Sequence, residues 1–395
     1  MKKPSIANLI LFCVSIFFAF FLGEFLVRSI VPTEQSISDP ILGYRMNPEL
    51  ERWDDNGFRN ESIPEIADIV AIGDSQTEGN NAPVQDAWPQ TLQRMSGARV
   101  YQMAVGGYGP VHYLYLVDQA LEFKPKAVLV GFYAGNDLPE SFGLAHFNEY
   151  WSRFRDPDFK VANSSTSSPS VRTQLQQGVN PGSFSFKLFQ VRRWIRSKSQ
   201  LYTFIGRSTR AIREKLNLAN SYEERVEKTN QLLTERPELG FFYPVEPIDT
   251  VISPPSRLGA INLEDPNIAE GWRIAQTAFL EMASKLSNQH VILVIGMIPT
   301  KEMVYGTFMV ETGQDMSDSL RNFMRHEERL RREFFAFCTN NDIHCVDTLP
   351  LLVDGLKKNV KIYPGEIDGH PIGDGYRLIA QSYYEYLRNF LLLSR

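Results

Sequence analysis

Five short aliphatic runs, separated by stretches with helical periodicity, constrain the fold of this chain more than any other feature. None of the runs shows the strict alternation of a half-exposed strand, so each is typical of a parallel strand buried on both faces. Helical patterns between them, such as the one through Trp272, Phe279 and Leu286, supply the crossovers. The sequence therefore predicts an α/β fold, a three-layer α/β/α sandwich with a central, mostly parallel five-stranded sheet. The runs cover residues 67–73, 98–105, 127–133, 290–298 and 343–347.

Size and charge exclude some classes of function. A chain of 395 residues with 43% hydrophobic residues can fill a substantial core and still carry an appendage. The formal net charge of −5 gives no reason to expect nucleic acid as a partner. The sequence shows neither a metal-ligand spacing nor a glycine-rich nucleotide fingerprint, so we expect no cofactor.

The N-terminus predicts a membrane anchor over residues 1–32. Lys2-Lys3 precedes a largely apolar stretch that runs from Ile6 to Val31, in which the only charged residues are Glu24 and Arg28, spaced to pair on one helix face. About 20 apolar residues span a bilayer, and basic residues favour the cytoplasmic side. The remainder would then lie outside the cytoplasm, as in a periplasmic enzyme. The alternative is a cleaved signal peptide. The bulky residues after the apolar core argue against it, because a cleavage site requires small residues there.

The sequence also predicts a linker and an insertion. Residues 33–66 are predicted to form a stalk that leads onto the main domain, 67–395. An insertion, 139–263, lies between the third and fourth strands and is too long for an ordinary connection. Its segment 184–215 mixes nine basic residues with large apolar ones, which suits an anionic membrane surface or helices that pack one face on the domain.

Three cysteines are too few for a disulfide framework. Cys13 lies within the predicted anchor. Cys338 ends a helical pattern and Cys345 lies in the next strand-like run. Outside the cytoplasm these two could form a disulfide, or they could be two buried thiols, and the sequence leaves both possibilities open.

Small polar motifs follow the ends of the predicted strands. Because the carboxyl ends of parallel strands meet at one edge of a sheet, these motifs should lie close together. A serine, backbone and amide donors, an acid and a histidine are together the groups that acyl transfer requires. The motifs are Gly73-Asp74-Ser75 after the first run, Gly106-Gly107 after the second, Gly135-Asn136-Asp137 after the third, and Asp368-Gly369-His370 near the C-terminus.

In these motifs and their order, the chain resembles the SGNH or GDSL-type hydrolase superfamily from about Ala67 to the C-terminus, with the insertion as an interruption. The resemblance implies an SGNH/flavodoxin-like fold. It also implies that Ser75 is the nucleophile and contributes its N–H to the oxyanion hole. Gly107 N–H and the Asn136 amide would complete that hole, with His370 as general base and Asp368 as its partner. In this chain one residue, Gly369, separates the acid from the histidine, whereas in the commonest family pattern two residues do.

Structural interpretations stand beside these roles. Asp368 could cap its loop, Asn136 could be a turn residue, and Gly106 competes with Gly107 as the oxyanion donor. Of the six histidines, His370 has the best context, a Gly/Pro-rich loop with a carboxylate two residues upstream. Asp74 and Asp137 are expected to brace loops by hydrogen bonds.

The sequence thus predicts an extracytoplasmic serine esterase that cleaves an acyl or acetyl ester through an acyl-enzyme on Ser75. One alternative is an O-acyltransferase or deacetylase acting on an envelope polysaccharide, with an acylated carbohydrate as substrate. An alternative of another class is a catalytically silent binding or scaffold protein on the same fold.

Overall fold

The computed structural model describes residues 6–30, 35–162, 188, 191–192, 194–195, 198–215 and 222–390. The chain separates into two compact units. One consists of Met1–Gln35 with Gly178–Lys228, and the other of Ser36–Gln177 with Thr229–Arg395. All five residues of the predicted site belong to the second unit.

Nine strands and thirteen α-helices are assigned in the described residues. The strands are β1 Ser36–Asp39, β2 Gly43–Met46, β3 Ile69–Gly73, β4 Val100–Ala104, β5 Ala127–Tyr133, β6 Phe241–Tyr243, β7 Thr250–Ile252, β8 Ile292–Ile298 and β9 His344–Asp347. The helices are α1 Ile6–Ile30, α2 Ser75–Glu78, α3 Trp88–Ser96, α4 Pro110–Glu122, α5 Asp137–Phe147, α6 Gln200–Lys215, α7 Tyr222–Glu235, α8 Leu258–Ile261, α9 Pro266–Ser287, α10 Lys301–Glu311, α11 Asp318–Asn340, α12 Leu349–Lys357 and α13 Gly373–Phe390. Short 3₁₀ turns cover Val84–Asp86, Glu149–Phe154, Pro237–Leu239 and Pro254–Ser256.

The central sheet confirms the predicted parallel architecture. Its strands lie in the order β4-β3-β5-β8-β9, and every neighbouring pair is parallel. Each strand falls within one of the five aliphatic runs of the sequence. In the register, Gly73 at the end of β3 lies between Ala104 of β4 and Gly131 of β5. The loops that follow these three strands therefore share one edge of the sheet, with the loop after β3 in the middle.

Helices cover both faces of the sheet. Side chains of β3 alternate between two hydrophobic clusters, with Val70 and Ile72 in one and Ile69 and Ala71 in the other. Helices α4, α9 and α11 pack in the first cluster, and α3, α10, α12 and α13 in the second. Both faces of the sheet are buried under helices, which explains why the strand sequences are continuously aliphatic rather than alternating.

Residues 36–62 differ from the predicted stalk, because they belong to the same compact unit as the sheet. Strands β1 and β2 form an antiparallel hairpin, in which the Asp39 carboxylate accepts hydrogen bonds from the N–H groups of Ile41 and Leu42. Farther along, Phe58 is buried and packs edge-on against Tyr101, with ring centroids 6.2 Å apart. Apolar anchors such as Phe58, which follows the Asn56-Gly57 turn signal of the sequence, hold the segment on the domain.

The predicted insertion is divided between the two units. It begins inside α5, and the 3₁₀ turn after that helix buries Trp151 and Phe154 in the core of the second unit. Its last part contributes the two-stranded antiparallel sheet of β6 and β7. Residues 178–228 belong to the first unit. The serine-rich tract 163–170 lies outside the described residues.

Helix α1 forms over most of the predicted anchor and contacts α6 within the first unit. The Glu24 carboxylate accepts hydrogen bonds from Ser199 Oγ and from the backbone N–H groups of Gln200 and Leu201, so it caps the start of α6. Arg28 pairs with Glu24 at 2.8 Å. Over the ranges that the structure describes, we find no helix whose length and hydropathy would let it cross a membrane.

The segment 184–215 lies only partly within the described residues. Phe204, Ile205 and Ile212 of α6 are exposed large apolar side chains. Contact of this segment with a membrane stays a prediction.

The structure decides the question of the cysteines. Cys338 near the end of α11 and Cys345 in β9 form a disulfide with their Cα atoms 6.2 Å apart. The bridge ties α11 to the edge strand of the sheet.

Candidate active site

The first predicted element of the site, Ser75, stands where β3 gives way to the short helix α2. The Asp74 carboxylate caps this helix by accepting from the Gln76 N–H at 2.8 Å, and Ser75 is its first residue. A side chain on Gly73 would place its Cβ 2.0 Å from Thr77 Oγ1, so only glycine lets the helix turn back over the strand. The sharp turn leaves Ser75 partly exposed at the sheet edge while its neighbours Asp74 and Gln76 are buried.

His370 lies between Ser75 and Asp368, as the sequence predicts for a base and its partner. His370 Nε2 is 2.8 Å from Ser75 Oγ, and His370 Nδ1 is 2.6 Å from Asp368 Oδ1. The same carboxylate oxygen accepts the backbone N–H of His370 at 3.0 Å. With only one residue between them, acid and histidine thus form a compact turn in which Asp368 fixes both the backbone and the ring.

The loop that carries His370 is tied to α2, although about 295 positions separate them in sequence. Gln76 Nε2 donates to the Gly369 carbonyl at 3.3 Å, and Asn81 Nδ2 donates to the His370 carbonyl at 3.2 Å. The Tyr376 hydroxyl of α13 donates to the Asn80 carbonyl at 2.7 Å. These bonds set the distance between base and nucleophile, because they join the backbones on which each is held.

Gly106 and Gly107, after β4, lie beside Ser75. A Cβ on Gly106 would come within 3.4 Å of Ser75 Cβ. The Gly106 N–H donates to Glu78 Oε2 at 3.0 Å, whereas within the described chain the Gly107 N–H donates to no residue. Gly107 also has φ +83°, a conformation that favours glycine. Of the two glycines, these contacts favour Gly107 as the donor to an oxyanion.

Two residues that the sequence analysis missed hold this glycine loop. The Tyr44 hydroxyl donates to the Gly106 carbonyl at 2.5 Å, and the Glu78 carboxylate accepts from the Gly106 N–H on the other side of the same residue. A Cβ on Gly107 would lie 2.5 Å from the Tyr44 hydroxyl. Tyr44 comes from the hairpin that the sequence analysis assigned to a stalk, and no local signal connects it with the site.

Asn136 lies on the opposite side of Ser75, at the end of β5 and just before α5. Its side chain acts to lower the pKa of the Asp74 carboxyl, and its Oδ1 is buried and has no partner in the described part of the chain. Asp137 is fully buried, and its Oδ2 accepts from the Tyr133 N–H at 3.1 Å and the Tyr113 hydroxyl at 3.0 Å. The contacts of Asp137 are those of a residue that braces the turn on which Asn136 stands.

The carboxyl of Asp74, next to the nucleophile in sequence, is fully buried. Burial raises the pKa of Asp74 to about 6, although the Gln76 N–H and the positive charge of His370 act in the opposite direction. Burial, with the Asp74 charge, raises the pKa of Glu140 to about 7. When ionised, Asp74 and Asp368 both stabilise a positive imidazolium at His370, the charge that develops as a serine loses its proton.

A cleft of about 490 Å³ opens on the side of the base. Its walls come from the segment before β3, from the loop after α2 and from the loop that carries the histidine. The lining residues are Arg52, Arg59, Asn80, Asn81, Ala82, Asp368 and His370. A molecule bound in this cleft lies against His370 and Asp368.

No protein-family model and no curated protein matches this chain. Among solved structures, it is similar to a candidate lipolytic protein of the G-D-S-L family from Desulfitobacterium hafniense, with 13% identity, a TM-score of 0.32, and coverage of 81% of this chain and 98% of that one. A candidate acylhydrolase from Bacteroides fragilis has 11% identity, a TM-score of 0.32 and coverage of 87% and 93%. A GDSL-like lipase from Bacteroides thetaiotaomicron has 10% identity, a TM-score of 0.29 and coverage of 82% and 88%.

Proposed function

We propose that this protein is a serine esterase of SGNH type, which hydrolyses an acyl or acetyl ester through an acyl-enzyme on Ser75. The observation that carries the proposal is the position of His370, within hydrogen-bonding distance of Ser75 Oγ on one side and of Asp368 on the other. A serine hydroxyl is a weak nucleophile and requires such a base.

In the proposed reaction, His370 Nε2 takes the proton of Ser75 Oγ as the oxygen attacks the ester carbonyl. Asp368 holds the ring through Nδ1 and stabilises the imidazolium. The negative charge on the carbonyl oxygen would be met by the N–H groups of Ser75 and Gly107 and by the Asn136 amide. His370 then gives its proton to the departing alcohol, and water releases the acyl group by the reverse sequence of proton transfers.

We also propose that the enzyme works outside the cytoplasm, on an ester or an acylated carbohydrate of the cell envelope. The Cys338–Cys345 bridge supports this location, because disulfides persist mainly in oxidising compartments. The apolar sequence from Ile6 to Val31 after Lys2-Lys3 favours attachment to a membrane through the N-terminal helix.

The test is hydrolysis of p-nitrophenyl acetate and of a longer-chain p-nitrophenyl ester by the full-length protein, with Ser75→Ala as the matched control. Release of nitrophenol by the wild type only would establish an active Ser75 site. Equal background rates for both proteins would contradict the esterase proposal and favour a binding or scaffold protein.

The same assay distinguishes hydrolysis from transfer. An oligosaccharide added as acceptor should leave the rate of a hydrolase unchanged and yield no acylated sugar. Acceptor-dependent stimulation with acylated sugar as product would instead make the protein an O-acyltransferase. Release of acetate from an acetylated polysaccharide would identify a deacetylase.

A further inference from the structure

The position of the cleft beside His370 has a consequence for the substrate, given the proposed esterase reaction. In that reaction, His370 Nε2 must reach the oxygen of the departing alcohol. The alcohol part of the ester therefore lies on the base side of Ser75, where the cleft opens. The groups that line this cleft are the ones that would recognise the alcohol.

Arg52 is the exposed cation of the cleft. Its side chain is 49% exposed, and the guanidinium lies 4.9 Å from the centre of the Trp53 ring. Only Nη2 is used within the described chain, since it donates to Glu78 Oε1 at 2.8 Å and to Asn80 Oδ1 at 3.0 Å. The Nε and Nη1 hydrogens remain for a ligand, and a planar guanidinium edge suits a carboxylate or phosphate.

Arg59, the other arginine of the cleft, is committed to the protein. Its Nη1 donates to the carbonyls of Glu78 and Gly79, and its Nη2 donates to the Ala82 carbonyl at 2.7 Å. These bonds hold the C-terminal end of α2 and the loop after it. Arg59 therefore adds positive charge to the cleft and holds its wall in place, but these nitrogens donate to the protein rather than to a ligand.

The carboxylates near Arg52 differ in their availability. The Glu78 side chain is only 3% exposed and is shared between Arg52 and the Gly106 N–H. Asp368 is held by His370. A second, larger cleft of about 730 Å³ also touches Arg52 and Arg59, but acidic residues line it, namely Glu51, Asp54, Asp55 and Glu61. An anion near Arg52 is thus favoured on the His370 side and repelled on the other.

We propose that Arg52 is a specificity residue, and that the preferred substrate is an ester whose alcohol part carries an anionic group, a carboxylate or a phosphate. The anion would bind the free edge of the guanidinium while the ester oxygen faces His370. Because Arg52 also holds Glu78, and Glu78 holds Gly106, occupation of this site would tighten the glycine loop next to Ser75.

A pair of acetate esters whose leaving phenols differ only in the charge of the para substituent tests this. One is 4-acetoxyphenylacetate, which is anionic, and the other is its neutral amide, 4-acetoxyphenylacetamide. We expect the wild-type enzyme to prefer the anionic ester in kcat/KM. Arg52→Gln should reduce that preference about tenfold, the lower end for a charge-assisted hydrogen bond, and Arg52→Lys should retain part of it. If the substitution of Arg52 also disturbs Glu78, the hydrolysis of both esters changes alike, and this effect cancels in the ratio of their kcat/KM values.

Arg99→Gln is the matched control. Arg99 is likewise an exposed arginine in an ion pair, with Asp68 at 3.0 Å, but it lies at the opposite end of β3 and β4. Its replacement should leave the preference for the anionic ester unchanged. If Arg99→Gln changed the preference as much as Arg52→Gln does, the effect would come from the overall charge of the protein. That result would overturn the assignment of Arg52.

The remaining outcomes separate this inference from the proposed function. Ser75-dependent hydrolysis of both esters at equal efficiency, unaffected by Arg52→Gln, would overturn the anion site and leave the esterase standing. If neither ester is cleaved above the Ser75→Ala background, the esterase proposal fails. Calorimetry with 4-hydroxyphenylacetate and its amide then tests the anion site independently of catalysis. Tighter binding of the anion than of the amide, with the difference lost in Arg52→Gln, would support the site. Equal binding of the two compounds would overturn it.

Discussion

The two sides of Ser75 are built differently. On the base side, acid and histidine are two positions apart in one loop, and a single carboxylate oxygen holds both the ring and the backbone of His370. On the oxyanion side, Gly106 is held from two distant elements, through Tyr44 of the hairpin and Glu78 of α2. The acid–histidine pair is therefore built within one loop, whereas the glycine loop of the oxyanion side depends on the docking of another segment.

This difference indicates how substitutions on each side should affect catalysis. Damage on the base side removes the chemistry itself, and should be severe and confined to kcat. Damage to the supports of the oxyanion side should be partial, because the glycine loop keeps its backbone and loses only its fixed position.

Removal of the base-side groups should have the largest effect. We expect Ser75→Ala and His370→Ala each to lower kcat on p-nitrophenyl acetate about 10⁴-fold or more, because each removes a member of one catalytic unit. The double variant should be no slower than either single variant. Multiplicative losses in the double variant would contradict a shared proton-transfer unit, and circular dichroism would check that all three proteins are folded.

Removal of an oxyanion donor should have the next largest effect. We expect Asn136→Ala to lower kcat by about 10²–10³ with little change in KM, since the donor acts mainly on the charge of the transition state. Steady-state kinetics on the same ester measures this. A variant that changes only KM would place Asn136 in substrate binding instead.

Loosening the brace of the glycine loop should cost less. We expect Tyr44→Phe, which removes the bond to the Gly106 carbonyl, to lower kcat about tenfold with the fold intact. Tyr101→Phe is the control, because the Tyr101 hydroxyl bonds to Asp54 at 2.9 Å and thus also ties the N-terminal segment to the sheet, but away from Gly106. Equal kinetic losses in the two variants would indicate a general effect of loosening that segment.

Asp74, which lies between the two sides, should also affect how the stability of the protein depends on pH. Its pKa is raised from 3.8 to about 6 by burial, so the folded protein binds this proton more tightly than the unfolded chain. The resulting stabilisation is complete below pH 4 and is lost as the pH rises through about 6. We expect the free energy of unfolding of Asp74→Asn to fall less between pH 4 and 7 than that of the wild type, by about 3 kcal/mol.

Urea unfolding at pH 4, 5, 6 and 7 measures this difference. The comparison with the wild type removes the contributions of buried carboxyls that do not interact with Asp74, such as Glu327, whose pKa burial also raises to about 7. Parallel curves for the two proteins would mean that Asp74 titrates alike in the folded and unfolded states.

Much of the site was predictable because its signals are local. A buried parallel strand requires a continuous aliphatic run, and the turn that ends it requires small or polar residues, so Ser75, Gly107 and Asn136 could be found from the runs that precede them. The close spacing of Asp368 and His370 could be found in the same way. The structure places these five residues around one edge of the sheet.

The structural support of the site could not be predicted. Tyr44 and Gly106 are 62 positions apart, and no residue pattern around Tyr44 connects it with the site. The choice between Gly106 and Gly107 likewise depended on the Glu78 carboxylate, whose hydrogen bond to the Gly106 N–H forms only in the folded chain.

The parallel sheet, the positions where its strands end and the polar groups that stand there could be predicted, because each follows from residues adjacent in the chain. The division of the insertion between two units, the Cys338–Cys345 disulfide and the position of Arg52 in a cleft beside His370 could be learned from the folded chain alone. Those features depend on contacts between segments far apart in sequence, which form only when the apolar surfaces that carry them are buried together.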